Sequence, residues 1–200
     1  MGVAPQHWLS LARLVVGAVT WLWLPRPDRA SAILPLAILA CLLDFADGRL
    51  ARSRGTENAV GRVLDNACDF AFLAMFFHAA SAVRLWIEPS GIALVGWRQH
   101  LNALPLLALY LSFGSYAVRA AICLALSRAL APSPVGRAAG VLNWGLALLG
   151  ASAVSLHWGR PPSLFEPSMA IVVSANVAAC MQNVILLVRQ LTRATGEGHT

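Results

Sequence analysis

The chain reads as an all-α, polytopic integral membrane protein: a bundle of six transmembrane helices with both termini on the cytoplasmic side. Three observations predict this. Apolar residues make up 58% of the 200 positions and charged ones 12%, and the mean hydropathy is +0.66. The apolar residues also gather in six runs near the roughly 20 residues needed to cross hydrocarbon. All basic residues are arginine, and the formal charge is +6. They are spread among loops and helix ends with no basic patch interleaved with aromatics, which argues against nucleic acid and for positive-inside loops and lipid head groups.

The first run, His7 to Leu24, has no charged leader or small-residue cleavage pattern and is expected to be retained. Pro25-Arg26-Pro27-Asp28 ends it, because proline cannot continue a helix. The second run, Ser31 to Ala51, carries Asp44 and Asp47 in its final turns. The third, Gly61 to Leu85, carries Asp65 and Asp69 in its first turns. Pro89-Ser90-Gly91 breaks the chain, and Ile92 to His100 is too short to span, so it is expected to lie on the surface away from the cytoplasm. The fourth run extends from about Leu101 to Leu126 and contains Arg119. The fifth runs from about Val135 to Trp158 after Pro132-Ser133-Pro134, and the sixth from about Pro167 to Val188. Residues 1–193 are expected to form one membrane domain and 194–200 a disordered tail.

An even number of spans places both termini on one face, and that face holds nine arginines against five opposite. The excess predicts a cytoplasmic location for the acidic end of the second and third runs. Trp21, Trp23, Trp86, Trp97 and Trp158 fall near far span ends, as an interfacial belt requires; Trp144 fits neither interface. Cys41, Cys68, Cys123 and Cys180 show no paired spacing and are expected to be packing residues.

The stretch from Asp44 to Asp69 stands apart from this apolar background. Four of the chain's five aspartates lie in it, and acid in lipid is costly unless a function requires it. Helix neighbours three or four apart share a face, so Asp44 pairs with Asp47 and Asp65 with Asp69. The short polar loop Ser53 to Val60 makes the two helices antiparallel neighbours, and four carboxylates can converge. Unpaired they would repel one another. Mg²⁺ or Mn²⁺, two ions about 3.5 to 4 Å apart, would resolve the conflict and suit a phosphoryl-type displacement. Gly48, Ala51 and Gly61 lack bulk, so a phosphate could approach the backbone there, and Arg52 offers it a forked donor.

The pattern formed by Asp44, Asp47, Gly48, Ala51, Arg52, Gly61, Asp65 and Asp69 resembles the signature of the CDP-alcohol phosphatidyltransferases, with its eight-residue gap intact. Leu9-Ser10-Leu11-Ala12-Arg13 is similar to the family's first-helix Leu-Thr-x-x-Arg element, with serine for threonine. The resemblance implies transfer of a phosphatidyl group from CDP-diacylglycerol to a small polar acceptor alcohol, with release of CMP. It further implies metal binding by Asp44, Asp47, Asp65 and Asp69, with Asp69 also the general base. It assigns Gly48, Ala51, Arg52 and Gly61 to the nucleotide, and implies a homodimer in a cell inner membrane. Gly136-Arg137 matches a Gly-basic pair of the family. The glycerophosphate-using members continue differently from Ala138-Ala139-Gly140, and differently after Asp65.

Arg119, Arg128 and Arg137 are candidates for acceptor binding; Arg119 inside a span either meets an acceptor phosphate or pairs with an aspartate. His78 is expected to be a hydrogen-bonded structural residue. The same motif also admits a CDP-choline or CDP-ethanolamine enzyme acting on diacylglycerol. Outside this class, membrane acids can mark a cation-coupled transporter, but broken helices and related halves are missing. Terpenoid synthases with aspartate-rich motifs are soluble, unlike this chain.

Overall fold

The computed structural model describes residues 5–53, 59–86, 101–156 and 162–196, and its regular structure is entirely helical over those residues. The helices are α1 (Pro5–Trp23), α2 (Ala30–Ser53), α3 (Ala59–Ala82), α4 (Leu104–Ala125), α5 (Pro134–Ser155) and α6 (Pro162–Gly196), with a 3₁₀ turn at Pro27–Arg29 between the first two. Five helices carry a stretch long and apolar enough to cross a membrane; the apolar part of α1, Trp8–Trp23, is shorter. The first five lie within three residues of their expected bounds. The sixth differs: it begins at Pro162, passes through Pro167 and runs to Gly196, so Ala194 to Gly196 are helical. Pro167 removes only one backbone bond near the start of a long helix, a cost the remaining turns offset. The expected surface segment Ile92 to His100, the loop residues 54–58 and the tail residues 197–200 lie outside the described residues.

The proline in α2 is accommodated differently. Leu34 N donates to Ser155 Oγ at 2.7 Å, and that hydroxyl donates to the Ala30 carbonyl at 2.7 Å. A serine from α5 thus stands in the α2 ladder beside Pro35, restoring both backbone groups at a point where helices commonly kink.

α3 is the central helix. It packs on α1, α4 and α5, while α2 joins α1 to α5 and α6 closes the outer side against α4 and α5. Its Phe72, Phe76 and Phe77 are fully buried. Phe77 meets Trp86 edge-on at 5.8 Å, and Phe165 of α6 covers the same indole at 6.0 Å. Asn102 accepts from Trp86 N at 3.0 Å through its side chain and from Ser81 Oγ at 2.6 Å through its carbonyl. Trp144, which fitted neither interface, stacks on Phe72 at 4.9 Å inside the bundle. His78 sits on the outer surface with its ring 6.2 Å from that of Trp21; among the described residues this ring contact, and no hydrogen bond, is recorded for it. Exposed Leu11, Val15, Phe45, Leu111, Val141 and Met181 give the bundle an apolar exterior, as a lipid solvent requires.

Gly17 sets how closely α1 approaches α3. A Cβ there would lie 2.6 Å from Met75 Cε, 3.2 Å from Phe72 Cδ2 and 3.4 Å from Phe72 Cα. Small residues at such crossings let membrane helices touch. Gly17→Ala asks the flexible end of Met75 to move and the Phe72 ring to give slightly, whereas Gly17→Leu must push α1 off the α3 backbone. Thermal unfolding in detergent should show a small loss for alanine and a loss of about 1–3 kcal/mol for leucine.

Candidate functional site

α2 and α3 run antiparallel, and their carboxyls meet in cross-helix pairs: Asp44 contacts Asp69, and Asp47 contacts Asp65. With 1.5 Å of rise per residue, the inner pair lies roughly 14 Å from the helix ends and the outer pair about 9 Å. Two carboxyls this close need a cation or a shared proton between them.

α1 supplies the cation. The Arg13 side chain is fully buried; its Nη1 donates to both Asp44 Oδ1 and Asp69 Oδ1, and its Nη2 lies 3.9 Å from Asp47 Oδ2. Ser10, one turn earlier, donates to Asp47 Oδ2 at 2.7 Å. Serine and arginine three apart share a helix face, so this face of α1 ties α2 to α3. The Gly17 approach to Phe72 lies one turn further along both helices and holds the same crossing. Arg13 Nε and Nη2 nevertheless make no hydrogen bond among the described residues, so the cluster is not fully satisfied. Among the described residues, no three carboxyl, imidazole or thiol groups surround a common point; the guanidinium stands between the inner pair.

Asp44 and Asp69 also form one wall of a cavity of about 500 Å³. Phe70 of α3 stacks on Phe113 of α4 at 4.0 Å and meets Tyr110 edge-on at 5.2 Å, fixing the α3–α4 side. The opposite end is built by the α4–α5 connection. Arg128 N donates to the Cys123 carbonyl at 2.8 Å, a Schellman-type closure with Ser127 at φ 51°. The chain then turns so that the Ala131 carbonyl accepts from Arg119 Nη1 at 3.0 Å. Ser133 caps α5 by accepting from Gly136 N at 3.0 Å, and it donates to Gln182 of α6 at 2.6 Å. A side-chain oxygen here satisfies an otherwise orphaned amide at the helix start.

Of the residues singled out from the sequence, Asp44, Asp69, Arg119 and Arg137 line this cavity, while Asp47 and Asp65 form the adjoining outer pair. Gly61 lies in the first turn of α3. Gly48, Ala51 and Arg52 lie on α2 beyond the carboxylates, and their surroundings are outside the described residues. Arg128 is elsewhere: its Nη1 donates to the Gln190 carbonyl of α6. Arg119 forms no ion pair with an aspartate among the described residues; that position belongs to Arg13. The sequence reading placed Arg13 only by its resemblance and did not assign Asn66, Tyr116 or Asn183, which also line the cavity. A lone charge in the apolar run Leu9 to Val16 was the available signal for Arg13.

Removing one partner of a buried charge cluster leaves the others uncompensated, at a typical cost of 3–5 kcal/mol. Arg13→Ala should therefore lower unfolding stability in detergent by about 3 kcal/mol. Arg13→Gln with Asp44→Asn, which neutralises both sides, should recover part of that loss in a double-mutant cycle.

Searches among curated proteins and solved structures gave no significant match. Comparison with protein families matched the model for CDP-alcohol phosphatidyltransferase to residues 5–187. The match runs from the start of α1 into α6 and takes in the serine–arginine turn, both aspartate pairs and the cavity wall, and on that extent the chain belongs to the CDP-alcohol phosphatidyltransferase family.

Proposed function

We propose that the chain transfers a phosphatidyl group from CDP-diacylglycerol to the hydroxyl of a small polar alcohol, with release of CMP, in phospholipid synthesis. The observation that carries this reading is the meeting of Asp44 with Asp69 and Asp47 with Asp65 beside an open cavity. Family membership supports transfer from a CDP-alcohol, and the apolar exterior suits a donor whose acyl chains remain in the bilayer.

The donor set fits divalent metal. Asp44, Asp47 and Asp69 gather around Arg13 and Asp65 lies against Asp47, and hard oxygen ligands of this kind favour Mg²⁺ or Mn²⁺. Asp44, Asp47, Asp65 and Asp69 would hold the ions, two of them on this reading. When bound, they supply charge neutralisation for the phosphate oxygens and the leaving group.

The remaining work falls to the chain's own residues. Asp69, on the cavity wall, takes the proton of the acceptor hydroxyl. The acceptor oxygen forms a bond to the phosphorus that carries the diacylglycerol, and the bond from that phosphorus to the oxygen of CMP breaks. Gly48, Ala51, Arg52 and Gly61, continuing the α2–α3 hairpin past the carboxylates, surround the nucleotide. Arg119 and Arg137 stand at the acceptor side; Arg128 serves the α6 contact instead. The arginine excess supports a cytoplasmic setting for this end and for both termini; on this reading the membrane is a cell inner membrane, and residues 1–193 are one domain that forms a homodimer, as the family resemblance implies.

Purified protein in detergent, given CDP-diacylglycerol, Mg²⁺ or Mn²⁺ and a panel of acceptor alcohols, should release CMP. Chelation should abolish release, and Asp69→Asn should reduce it by about 10²-fold or more, as loss of a general base does. Full activity in Asp69→Asn, or no CMP with any acceptor, would refute the proposal.

A further inference from the structure

The joint between α2 and α5 lies at the end of the bundle far from the aspartates. Pro35 has no N–H to give, and its ring crowds the carbonyl four residues back. One residue earlier, Leu34 N donates to Ser155 Oγ and that hydroxyl donates to the Ala30 carbonyl, each at 2.7 Å. A side chain of another helix thus completes the α2 ladder beside the gap that the proline leaves. Serine in a helix commonly bonds back to its own backbone, and Ser152 does so, donating to the Leu148 carbonyl at 2.8 Å. Ser155, three residues on, commits both its donor and its acceptor across the interface. Among the described residues these are the two hydrogen bonds that join α2 to α5.

The face of α2 that this joint orients is the one that carries the acids. Ala30, Ile33, Ala37 and Ala40 are buried, and Asp44 and Asp47 continue the same alternation of three and four residues, which keeps all six on one side of the helix. Three of the four apolar residues are alanines, which let helices approach closely but interlock little against rotation or tilt. Hydrogen bonds are directional, so the Ser155 pair supplies the constraint that alanine packing lacks. From Leu34, α2 continues about 15 Å to Asp44 and about 28 Å to Ser53. Asp44 lines the cavity together with Gly136 and Gly140 of α5, and among the described residues no other group lies within 4 Å of where a Cβ on Gly140 would sit. The two helices joined at Ser155 therefore stand apart at the level of the aspartates. A tilt of about 5° at the joint moves Asp44 by roughly 1 Å and Ser53 by roughly 2 to 3 Å, and a misplacement of about 1 Å at a reacting centre can cost about 10²-fold in rate. We infer that Ser155 is a positioning residue: its hydroxyl sets the tilt and rotation of α2, and through them the placement of Asp44 and Asp47 opposite Asp69 and Asp65. Arg13 and Ser10 hold the carboxyls from α1; Ser155 fixes the helix that presents them. The effect on turnover rests on the transferase reading of those aspartates, and the effect on the helix does not.

Two measurements on the full-length protein in detergent separate the two effects. Spin labels on ketone-bearing amino acids at Ser53 and Leu191, both exposed, report the distance from the acidic end of α2 to α6 and leave the native cysteines in place. Labelled chains are diluted in unlabelled ones, so that the distance read lies within one chain. Ser155→Ala should shift or broaden that distance by about 2 Å or more. Ser155→Thr, which keeps the hydroxyl, should restore the native distribution, and Ser152→Ala, which loses only a bond within α5, should leave it unchanged. In the CMP-release assay, at a temperature where thermal unfolding shows each variant folded, Ser155→Ala should lower kcat about tenfold or more. Ser155→Thr should recover most of that loss, and Ser152→Ala should match the native chain. If Ser155→Ala does not fold, Ser155→Cys, whose thiol is a weaker hydrogen-bond partner, carries the same comparison. An unchanged distance in the Ser155 variants would overturn the inference, as would an equal change in Ser152→Ala or a changed distance with native kcat. A native chain that releases no CMP would sink the transferase reading, and the distance would then decide the role of Ser155 by itself.

Discussion

The contact on which the functional end depends is that of the Arg13 guanidinium with the carboxyls of two other helices. Asp44 and Asp69 face each other across an antiparallel helix pair and would drive it apart in a low-dielectric medium, where like charges interact strongly. Arg13, fully buried, reaches both and stands near Asp47. Ion clusters of this kind contribute little net stability, because desolvating each charge offsets most of the attraction. They do fix geometry: losing the arginine leaves acids that the bilayer cannot solvate. Two guanidinium nitrogens have no hydrogen bond among the described residues, so the arrangement is incompletely satisfied and leaves donors for further oxygen atoms.

Among the described residues, the rest of the bundle packs apolar groups at the end far from the aspartates and polar groups at the near end. At the far end, Trp86 is wedged among Phe77, Phe165 and Gly150, where an added Cβ would lie 2.9 Å from the indole. At the near end, polar caps replace apolar packing. Gln182 of α6 accepts from both Ser133 Oγ and Val135 N, fixing the first turn of α5, while Arg128 and Gln190 fasten the preceding loop to α6. The loop carbonyl that meets Arg119 is thus held from both sides by side-chain contacts to α6. One cavity then joins the acidic wall of α2 and α3 to the basic and amide-lined wall of α4, α5 and α6.

Much of this was legible in the residues. The helices followed from apolar run length and proline breaks, and the antiparallel aspartate pairs from helical spacing and a short loop. What escaped depended on long-range contact. The start of α6 was set late because Pro167 looked like a boundary; only the complete helix shows that one lost backbone bond is tolerable there. Arg13 stood out in the sequence only by its resemblance; its contacts with Asp44 and Asp69 depend on α1 packing against α3 beside Gly17. Asn183 and Tyr116 are unremarkable in sequence; only the structure shows that both line the cavity and that Asn183 Oδ1 is buried without a partner among the described residues. Arg119 was legible as an anomaly, but only the structure shows that it pairs with no aspartate among the described residues.

The central claim is that the two aspartate pairs form a divalent-cation site at the wall of the cavity. Electron paramagnetic resonance of Mn²⁺ titrated into the purified protein tests it most directly, since bound Mn²⁺ loses the sharp signal of the free ion. The account predicts saturable loss of free signal with the native chain, competed by Mg²⁺ and absent in the combined Asp44→Asn and Asp65→Asn variant that remains folded. Equal Mn²⁺ uptake by that variant, or no uptake by the native chain, would contradict it.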